Sequence, residues 1–306
     1  MLTITPCTNP DLDGLACAVA YAEYYNKTGT PAQAIIFGQP RFEANFVINH
    51  FNYQLPPNNS QPDDWKQVAV VDTSRPDGLE PSIKLKNIIE VVDHRLLSDT
   101  DAFPNAKIWI EMVGAAATLI AEKFKQNNIK ISTESATLIY GAIIANTLTL
   151  QSSNTTNRDR EIARWLKPQI NWPDNLTKKL FLDLEDMKGD KLLKTVQGET
   201  FAFPLNNQTI SIGQLAMIGA KKLVATRHAD LVTVLDKIKK DFRLDWNFIN
   251  IIDVREKINI FFATDPAIQA LLSHIFKVEF NNNYAIYPAL LLRKEITPLI
   301  KKELEK

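Results

Sequence analysis

The chain of 306 residues has no excess of charge of either sign, since 35 Lys and Arg residues balance 35 Asp and Glu residues. This balance gives no overall basic field that would attract nucleic acid. Cysteine is scarce: Cys7 and Cys17 do not suggest a disulfide framework, which favours a reducing compartment. The apolar runs fall well short of the ~18 residues of a membrane span, and the first residues lack the pattern of a signal peptide. We expect a cytoplasmic protein without a membrane partner.

Sequence motifs of several enzyme classes are also missing. No Gly-x-x-x-x-Gly-Lys loop is present, so an ATP-binding P-loop is not expected. No Gly-x-Ser-x-Gly motif is present either, which argues against a serine hydrolase of that type. The tryptophans are scattered and form no series on which the bases of a single strand would stack.

The first part of the chain alternates short apolar runs with amphipathic segments. The runs at 68–71 and 88–92 are largely apolar over four to five residues, as expected for strands buried on both faces. This alternation predicts an α/β domain with a parallel sheet. We place strands at 2–5, 34–37, 68–71 and 88–92 and helices at 14–27, 41–51, 114–126, 133–145 and 157–165.

The pattern changes after about residue 186, where a polar segment containing glycine follows. Two strand-like runs joined by 204–208 read as a hairpin, which predicts a separate, smaller α+β unit. The predicted domains are therefore 1–186 and 196–306, with a linker at 187–195. In the second domain we place strands at 200–203, 209–215, 248–253 and 258–263 and helices at 226–242, 266–276 and 288–305.

Acidic and imidazole groups stand at the ends of the apolar runs of the first domain. Asp11 and Asp13 lie between a predicted strand and a helix, Asp72 closes the run 68–71, and Asp93 and His94 close the run 88–92. Ligands of an open parallel sheet bind beyond the carboxyl ends of its strands. Each residue alone fits an ordinary helix cap or turn, with Asp13 near the cap of its helix. Together they predict a metal site, with Asp93 as a partner of the His94 ligand.

These residues carry a resemblance to the DHH phosphoesterase superfamily, and within it to the manganese-dependent inorganic pyrophosphatases and exopolyphosphatases. The segment 93–95 stands where that family has Asp-His-His, and the second half resembles its smaller C-terminal domain. The resemblance covers essentially the whole chain. The matching segments are 9–13, Asp72, 93–95, 113–118, 141–147, 213–214 and 293–298.

The resemblance implies two divalent cations, manganese or else magnesium or cobalt, that activate a water in a cleft between the domains. It implies a small phosphorylated substrate, with pyrophosphate or short polyphosphate first and a phosphodiester such as a short oligonucleotide as the alternative. It also implies a homodimer through an edge strand. Asp11, Asp13, Asp72, His94, Cys7 and Asn146 would be metal ligands, with Asp72 bridging, and Arg95, Arg293 and Lys294 would face the substrate phosphates.

Five positions depart from the family pattern. Cys7 replaces a histidine ligand and would favour zinc if its thiolate bound metal; otherwise it is a small buried residue. Asn146 replaces an aspartate and would weaken the second cation. Arg95 replaces the second histidine and holds a phosphate without donating a proton. Glu199 stands where a lysine is expected, and Leu292 where an arginine is.

Three hypotheses follow from these departures. The chain is an active phosphohydrolase with altered metal or substrate, a variant with a single metal ion, or a non-catalytic relative that binds an anion or a partner. Asp72 and Arg95 are the candidate catalytic residues.

Overall fold

The structure, a computed structural model, describes residues 1–56, 65–95, 98–206 and 208–305. These residues form two compact units, Met1–Leu180 and Phe181–Lys306. The division falls a few residues before the predicted boundary at 186. The segment 187–195, predicted as a linker, lies inside the second unit, where Met187 and Leu192 are buried in the core. Asn207 of the predicted hairpin turn lies outside the described residues.

A five-stranded, entirely parallel sheet forms the centre of the first unit and confirms the predicted α/β class. The strands lie in the order β2-β1-β3-β4-β5, so β3 is central. Their bounds are β1 Leu2–Thr5, β2 Ala32–Ala34, β3 Val68–Val71, β4 Ile88–Asp93 and β5 Lys107–Ile110.

The register of the central strands brings the polar residues that follow them to one edge. Val71 of β3 pairs with Val92 of β4, so Asp72 and Asp93 come next at the same level. All four residues of β3 are buried, as expected for an apolar strand covered on both faces. The strand at 34–37 was predicted too late, and β5 was not predicted because Lys107 and Ile108 are exposed on an edge strand.

Six α-helices accompany this sheet in the described part of the first unit. Helix α1 packs against α3 and α4, and its alanines Ala16, Ala18 and Ala20 are fully buried. Small side chains let neighbouring backbones approach closely, which suits a helix that contacts both α3 and α4. The helices are α1 Leu12–Lys27, α2 Phe42–Phe51, α3 Ala116–Gln126, α4 Thr133–Asn146, α5 Asn157–Leu166 and α6 Leu176–Lys179.

The second unit contains a mixed five-stranded sheet in the order β10-β9-β8-β7-β6. Strands β7 and β8 are parallel, and the other neighbours are antiparallel. The predicted hairpin is confirmed as the β6–β7 pair. The elements are α7 Lys191–Gly198, β6 Thr200–Leu205, β7 Gln208–Met217, α8 Ala220–Asp241, β8 Trp246–Asp253, β9 Ile258–Phe262, α9 Pro266–Phe276, β10 Tyr284–Tyr287 and α10 Arg293–Leu304.

Two helix starts in the second unit differ from the prediction. Helix α8 begins at Ala220, before the expected start at 226, and has a non-helical backbone at Arg227. Helix α10 begins at Arg293, after the expected start at 288, because the Glu295 side chain accepts a hydrogen bond from the Leu292 N–H and caps the helix there. In the part of the chain that the structure describes, no helix combines the length and apolarity needed to cross a membrane.

Candidate metal centre

Three buried side chains converge at the carboxyl edge of the first sheet. Asp72 follows β3, His94 follows β4, and Asp13 lies in the first turn of α1. Their ligand atoms all lie within 4.8 Å of one another, and this is the only such group of His, Cys, Asp or Glu among the described residues. Two carboxylates and an imidazole are a suitable ligand set for a divalent cation such as manganese.

The backbone of Asp72 is in the left-handed region, with φ of 51°. This conformation is uncommon for residues other than glycine, and such residues cluster at functional sites. Its Oδ1 accepts a hydrogen bond from Arg95 Nη2 at 3.0 Å. Its Oδ2 is buried and accepts no hydrogen bond from any described residue. A buried carboxylate oxygen that lacks a donor fits a metal ligand, because a cation would satisfy it.

The charges around Asp72 also support a role as a metal ligand. Burial raises the pKa of the Asp72 carboxyl well above its usual range. Arg95 opposes this rise, whereas Asp11, Asp13 and Asp93 increase it. Several carboxylates thus crowd one desolvated position, and a bound cation would relieve their repulsion.

Asp13 is held by backbone N–H groups from a distant part of the chain. Its Oδ2 accepts from the Ala116 N–H and its Oδ1 from the Ala117 N–H, both at 2.8 Å. These donors belong to the first turn of α3, where unpaired N–H groups and the helix dipole favour an anion. Asp13 lies near the N-cap of its own helix, as expected, whereas Asp11 is the cap itself and accepts from the Gly14 N–H at 3.0 Å.

The ring of His94 is oriented by a backbone carbonyl. Its Nδ1 lies 2.9 Å from the Val113 carbonyl oxygen. A carbonyl only accepts, so Nδ1 donates the hydrogen bond to Val113, and Nε2 is the nitrogen left to face the carboxylates. That Nε2 lies 3.6 Å from Asp13 Oδ2 and 3.5 Å from Asp72 Oδ1. The tautomer and direction are those of a metal-binding imidazole with a fixed second nitrogen.

Asp93 supports the site without joining the group of three. Its Oδ2 accepts from Ser74 Oγ at 2.6 Å, and its Oδ1 accepts from the His94 backbone N–H at 2.7 Å. It therefore fixes the main chain at His94. The sequence had instead suggested that Asp93 is a partner of the His94 side chain. Ser74 follows Asp72 by two residues, so this contact ties the ends of β3 and β4 together.

Asp159 is a supporting residue that the sequence analysis missed. Its carboxylate accepts from the Gly114 N–H at 2.8 Å and from the Thr118 hydroxyl at 2.6 Å. It also accepts from the Thr156 N–H as part of a capping box at the start of α5. The Thr-x-x-Asp spacing was a readable signal for the cap, but nothing in the sequence indicated its contact with 114–118. Through it, α5 positions the turn that holds Asp13 and His94.

Cys7 and Asp11 lie near Asp72 but outside the converging group. Burial, together with Asp11 and Asp72, raises the pKa of the Cys7 thiol to about 12. Burial alone would raise the pKa of Asp11, but Arg41, the Gly14 N–H and Arg95 hold it below its usual value. The structure thus gives a neutral thiol at Cys7 and a charged carboxylate at Asp11.

Asn146 is the last residue of α4, and its Nδ2 donates to Asp13 Oδ2 at 2.7 Å. An amide donor facing a carboxylate removes the charge repulsion that an aspartate would create at this position. The structure therefore brings Asn146 next to the predicted metal group, as a hydrogen-bond donor to one of its members.

Arg293 and Lys294 lie in the first turn of α10 in the second unit. The Arg293 guanidinium donates to the Glu199 and Ile212 carbonyls and lies 5.5 Å from the centre of the Phe201 ring. Its contacts join α10 to β6 and β7. The contact with Glu199 is made by the backbone of that residue.

A known protein family matches the part of the chain that contains this sheet and this group of side chains. Residues 2–143 match the family model described as the DHH family, N-terminal domain. This match covers most of the first unit, which is therefore similar to a DHH-family N-terminal domain. This confirms the resemblance inferred from the motifs around Asp13, Asp72 and His94.

Similarity to individual proteins extends beyond that domain. The chain is 26% identical over 298 residues to the manganese-dependent inorganic pyrophosphatase of Bacillus subtilis, covering 95% of each. It is 25% identical over 310 residues to a protein of Deinococcus radiodurans described as a probable enzyme of the same kind, covering 99% of this chain and 98% of that one. The crystal structure of a Methanococcus jannaschii protein, assigned provisionally to the family II inorganic pyrophosphatases, has the same fold with a TM-score of 0.77, 21% identity and full coverage of both chains.

Proposed function

We propose that this chain is a divalent-metal-dependent phosphohydrolase that cleaves a phosphoanhydride, with pyrophosphate as the first substrate. The observation that carries the proposal is the convergence of ligand atoms from Asp13, Asp72 and His94 within 4.8 Å of one another. The second oxygen of Asp72, Oδ2, is buried and accepts no hydrogen bond from the described residues. The full-length similarity to proteins named as manganese-dependent inorganic pyrophosphatases supports the choice of metal and of substrate.

The residues present fit a manganese or magnesium ion. Asp13, Asp72 and His94 would hold it, since hard oxygen ligands with one imidazole suit these metals. When bound, such an ion polarises phosphate oxygens and lowers the pKa of a water molecule. The thiol of Cys7 lies outside the group, so we do not expect zinc to be preferred.

The protein's own groups supply orientation and charge. The Val113 carbonyl fixes the His94 ring, and the first turn of α3 fixes Asp13, so both ligands are held before any ion arrives. Arg95 keeps 37% of its side chain exposed while it bonds to Asp72, so further N–H groups can donate to a phosphate. Arg293 and Lys294 remain proposed phosphate-binding residues of the second unit.

A phosphate-release assay tests this proposal. The purified chain would receive pyrophosphate, tripolyphosphate or a dinucleotide together with manganese, magnesium, cobalt or zinc. We expect the fastest release from pyrophosphate with manganese. Asp72→Asn should lower the rate by more than about 100-fold, because even groups that only orient a metal ligand contribute about 10–100-fold.

Asp77→Asn is the matched control, since Asp77 is an exposed aspartate of the same unit that also pairs with an arginine, Arg75. Its rate should stay at the wild-type level. No release from any substrate with any of the four metals would refute the proposal. Fast release from the dinucleotide alone would replace the phosphoanhydride with a phosphodiester as substrate.

A second candidate is a non-catalytic protein that binds an anion. The specific observation in its favour is that Arg95 and Asn146 already donate to Asp72 and Asp13, which satisfies part of the charge that a metal would neutralise. This candidate predicts phosphate binding that does not depend on a metal and is not followed by hydrolysis. Any hydrolysis that is lost in Asp72→Asn excludes it.

A further inference from the structure

Arg95 interacts with several acidic groups and one thiol of the site. Its Nη2 donates to Asp72 Oδ1 at 3.0 Å, and its Nε lies 3.9 Å from Asp93 Oδ1. The charges of Asp72, Asp93, Asp11 and Cys7 all raise the pKa of Arg95, although burial opposes them. The charge of the guanidinium therefore interacts with Asp11 and Cys7, two candidate metal ligands that lie outside the converging group. Asn146 is the third such candidate, and it is uncharged.

The described residues form one converging group of candidate metal ligands and no second one. Asp13, Asp72 and His94 form a group that can surround one ion, but Cys7 and Asp11 belong to no group of three among the residues that the structure describes. Fixed positive charge acts on Asp11 and Cys7 instead: the guanidinium groups of Arg41 and Arg95 both lower the pKa of Asp11 and of Cys7, and Arg95 is the one that also bonds to Asp72. A second cation here would have to share Asp72 with a fixed positive charge.

Electrostatics makes this sharing unfavourable. Like charges held a few ångströms apart in a partly buried site repel strongly, and the repulsion from a divalent ion is twice that from a monovalent one. Arginine does not lose its proton at any accessible pH, so the repulsion cannot be relieved by deprotonation. The same permanent charge offsets the negative charge of Asp11 and Asp72 that a second ion would otherwise neutralise.

We propose that the site binds a single divalent cation and that the Arg95 guanidinium takes the place of a second one. This inference rests on the proposed function, in that the ion held by Asp13, Asp72 and His94 is the one used for hydrolysis. Arg95 is then both a built-in cation and a phosphate-binding group. Its charge is part of the protein and does not depend on the metal concentration.

Manganese stoichiometry tests the inference without relying on activity. The whole chain is dialysed against manganese, the bound ion is counted by elemental analysis, and the electron paramagnetic resonance spectrum is recorded. We expect one ion per wild-type chain and the hyperfine pattern of an isolated Mn²⁺. In Arg95→Gln, which keeps hydrogen-bonding groups but removes the charge, we expect a second ion and an exchange-coupled spectrum.

Two further variants serve as controls. Arg95→Lys keeps the charge and should stay at one ion. Arg158→Gln removes an arginine with the same 37% side-chain exposure, whose partners are Glu111 and Glu122 rather than the metal group, and should also stay at one ion.

The outcomes separate the inference from the proposed function. Two ions in the wild type, or one ion in Arg95→Gln, would overturn the role of Arg95 while leaving metal-dependent hydrolysis in place. No bound manganese in the wild type would overturn both. A second ion that appears in Arg95→Gln and is absent from Arg95→Lys and Arg158→Gln would establish the guanidinium as the substitute charge.

Discussion

Asp72 and Asp253 hold similar positions in the two units. Each lies at the carboxyl end of the central strand of a five-stranded sheet, and each is buried. The Asp253 carboxylate accepts four backbone N–H bonds, from Gly219, Ala220, Arg255 and Glu256. Asp72 has one oxygen bonded to Arg95 and one without a donor among the described residues.

The two aspartates therefore show what separates a structural acid from a candidate ligand. Asp253 caps α8 and closes the turn after β8, and its oxygens are fully used by the backbone. Asp72 has a left-handed backbone and a carboxyl whose pKa is raised by burial. A carboxylate that contributes little to the fold and is kept under strain is available for binding. Three predictions test this contrast, beginning with the largest effect.

Asp253→Ala should destabilise the second unit by about 3–5 kcal/mol, because it removes a helix cap and leaves several N–H groups without an acceptor. Thermal unfolding and hydrogen exchange at the Gly219 and Ala220 amides measure this loss. Asp253→Asn keeps one carbonyl oxygen and should cost about half as much. Unchanged exchange at both amides in Asp253→Ala would show that the cap is not important.

Asp72→Asn should change the stability of the metal-free protein by no more than about 1 kcal/mol. The substitution removes a buried charge, and asparagine tolerates the left-handed backbone well. Arg95 is left without this partner, but its partial exposure lets water solvate it. Thermal unfolding without metal is the measurement.

The same variant should lose the rise in melting temperature that manganese gives to the wild type, since only a ligand bound to the folded state stabilises it. The control is Asp77→Asn, which should keep that rise. A loss of several kcal/mol in metal-free Asp72→Asn would remove the distinction from Asp253.

The sequence indicated the candidate ligands that converge in the structure better than the residues that support them. Asp72 and His94 were predictable because each directly follows an apolar run, and parallel strands bring such positions to one edge. Asp253 also follows an apolar run, so the same signal marks a structural acid. What distinguishes them is the number of donors around each carboxylate, and this depends on tertiary contacts.

Contacts over long sequence separations explain most of what was missed. Asp13 bonds to Ala116 and Ala117 more than a hundred positions away, and Asp159 bonds back to Gly114. No periodicity in the sequence encodes these pairs. Strand β5 was missed for another reason, because Lys107 and Ile108 of this edge strand are exposed and the segment lacks the continuous buried pattern of the central strands. The proximity of Arg95 to Asp72 likewise emerged only from the fold.

The smallest effect is expected at Cys7, which the sequence analysis treated as a candidate ligand. Burial and the neighbouring carboxylates raise the pKa of its thiol to about 12, so an ion would have to displace a tightly held proton to bind there, and Cys7 lies outside the converging group. Cys7→Ser should therefore change manganese affinity by less than about twofold, or about 0.4 kcal/mol. Isothermal titration calorimetry with manganese and with zinc measures this. His94→Ala is the positive control and should abolish binding, because it removes one of the three converging ligands. A loss of zinc or manganese binding in Cys7→Ser comparable to that in His94→Ala would make Cys7 a ligand after all, and the site would then extend past Asp72 toward β1.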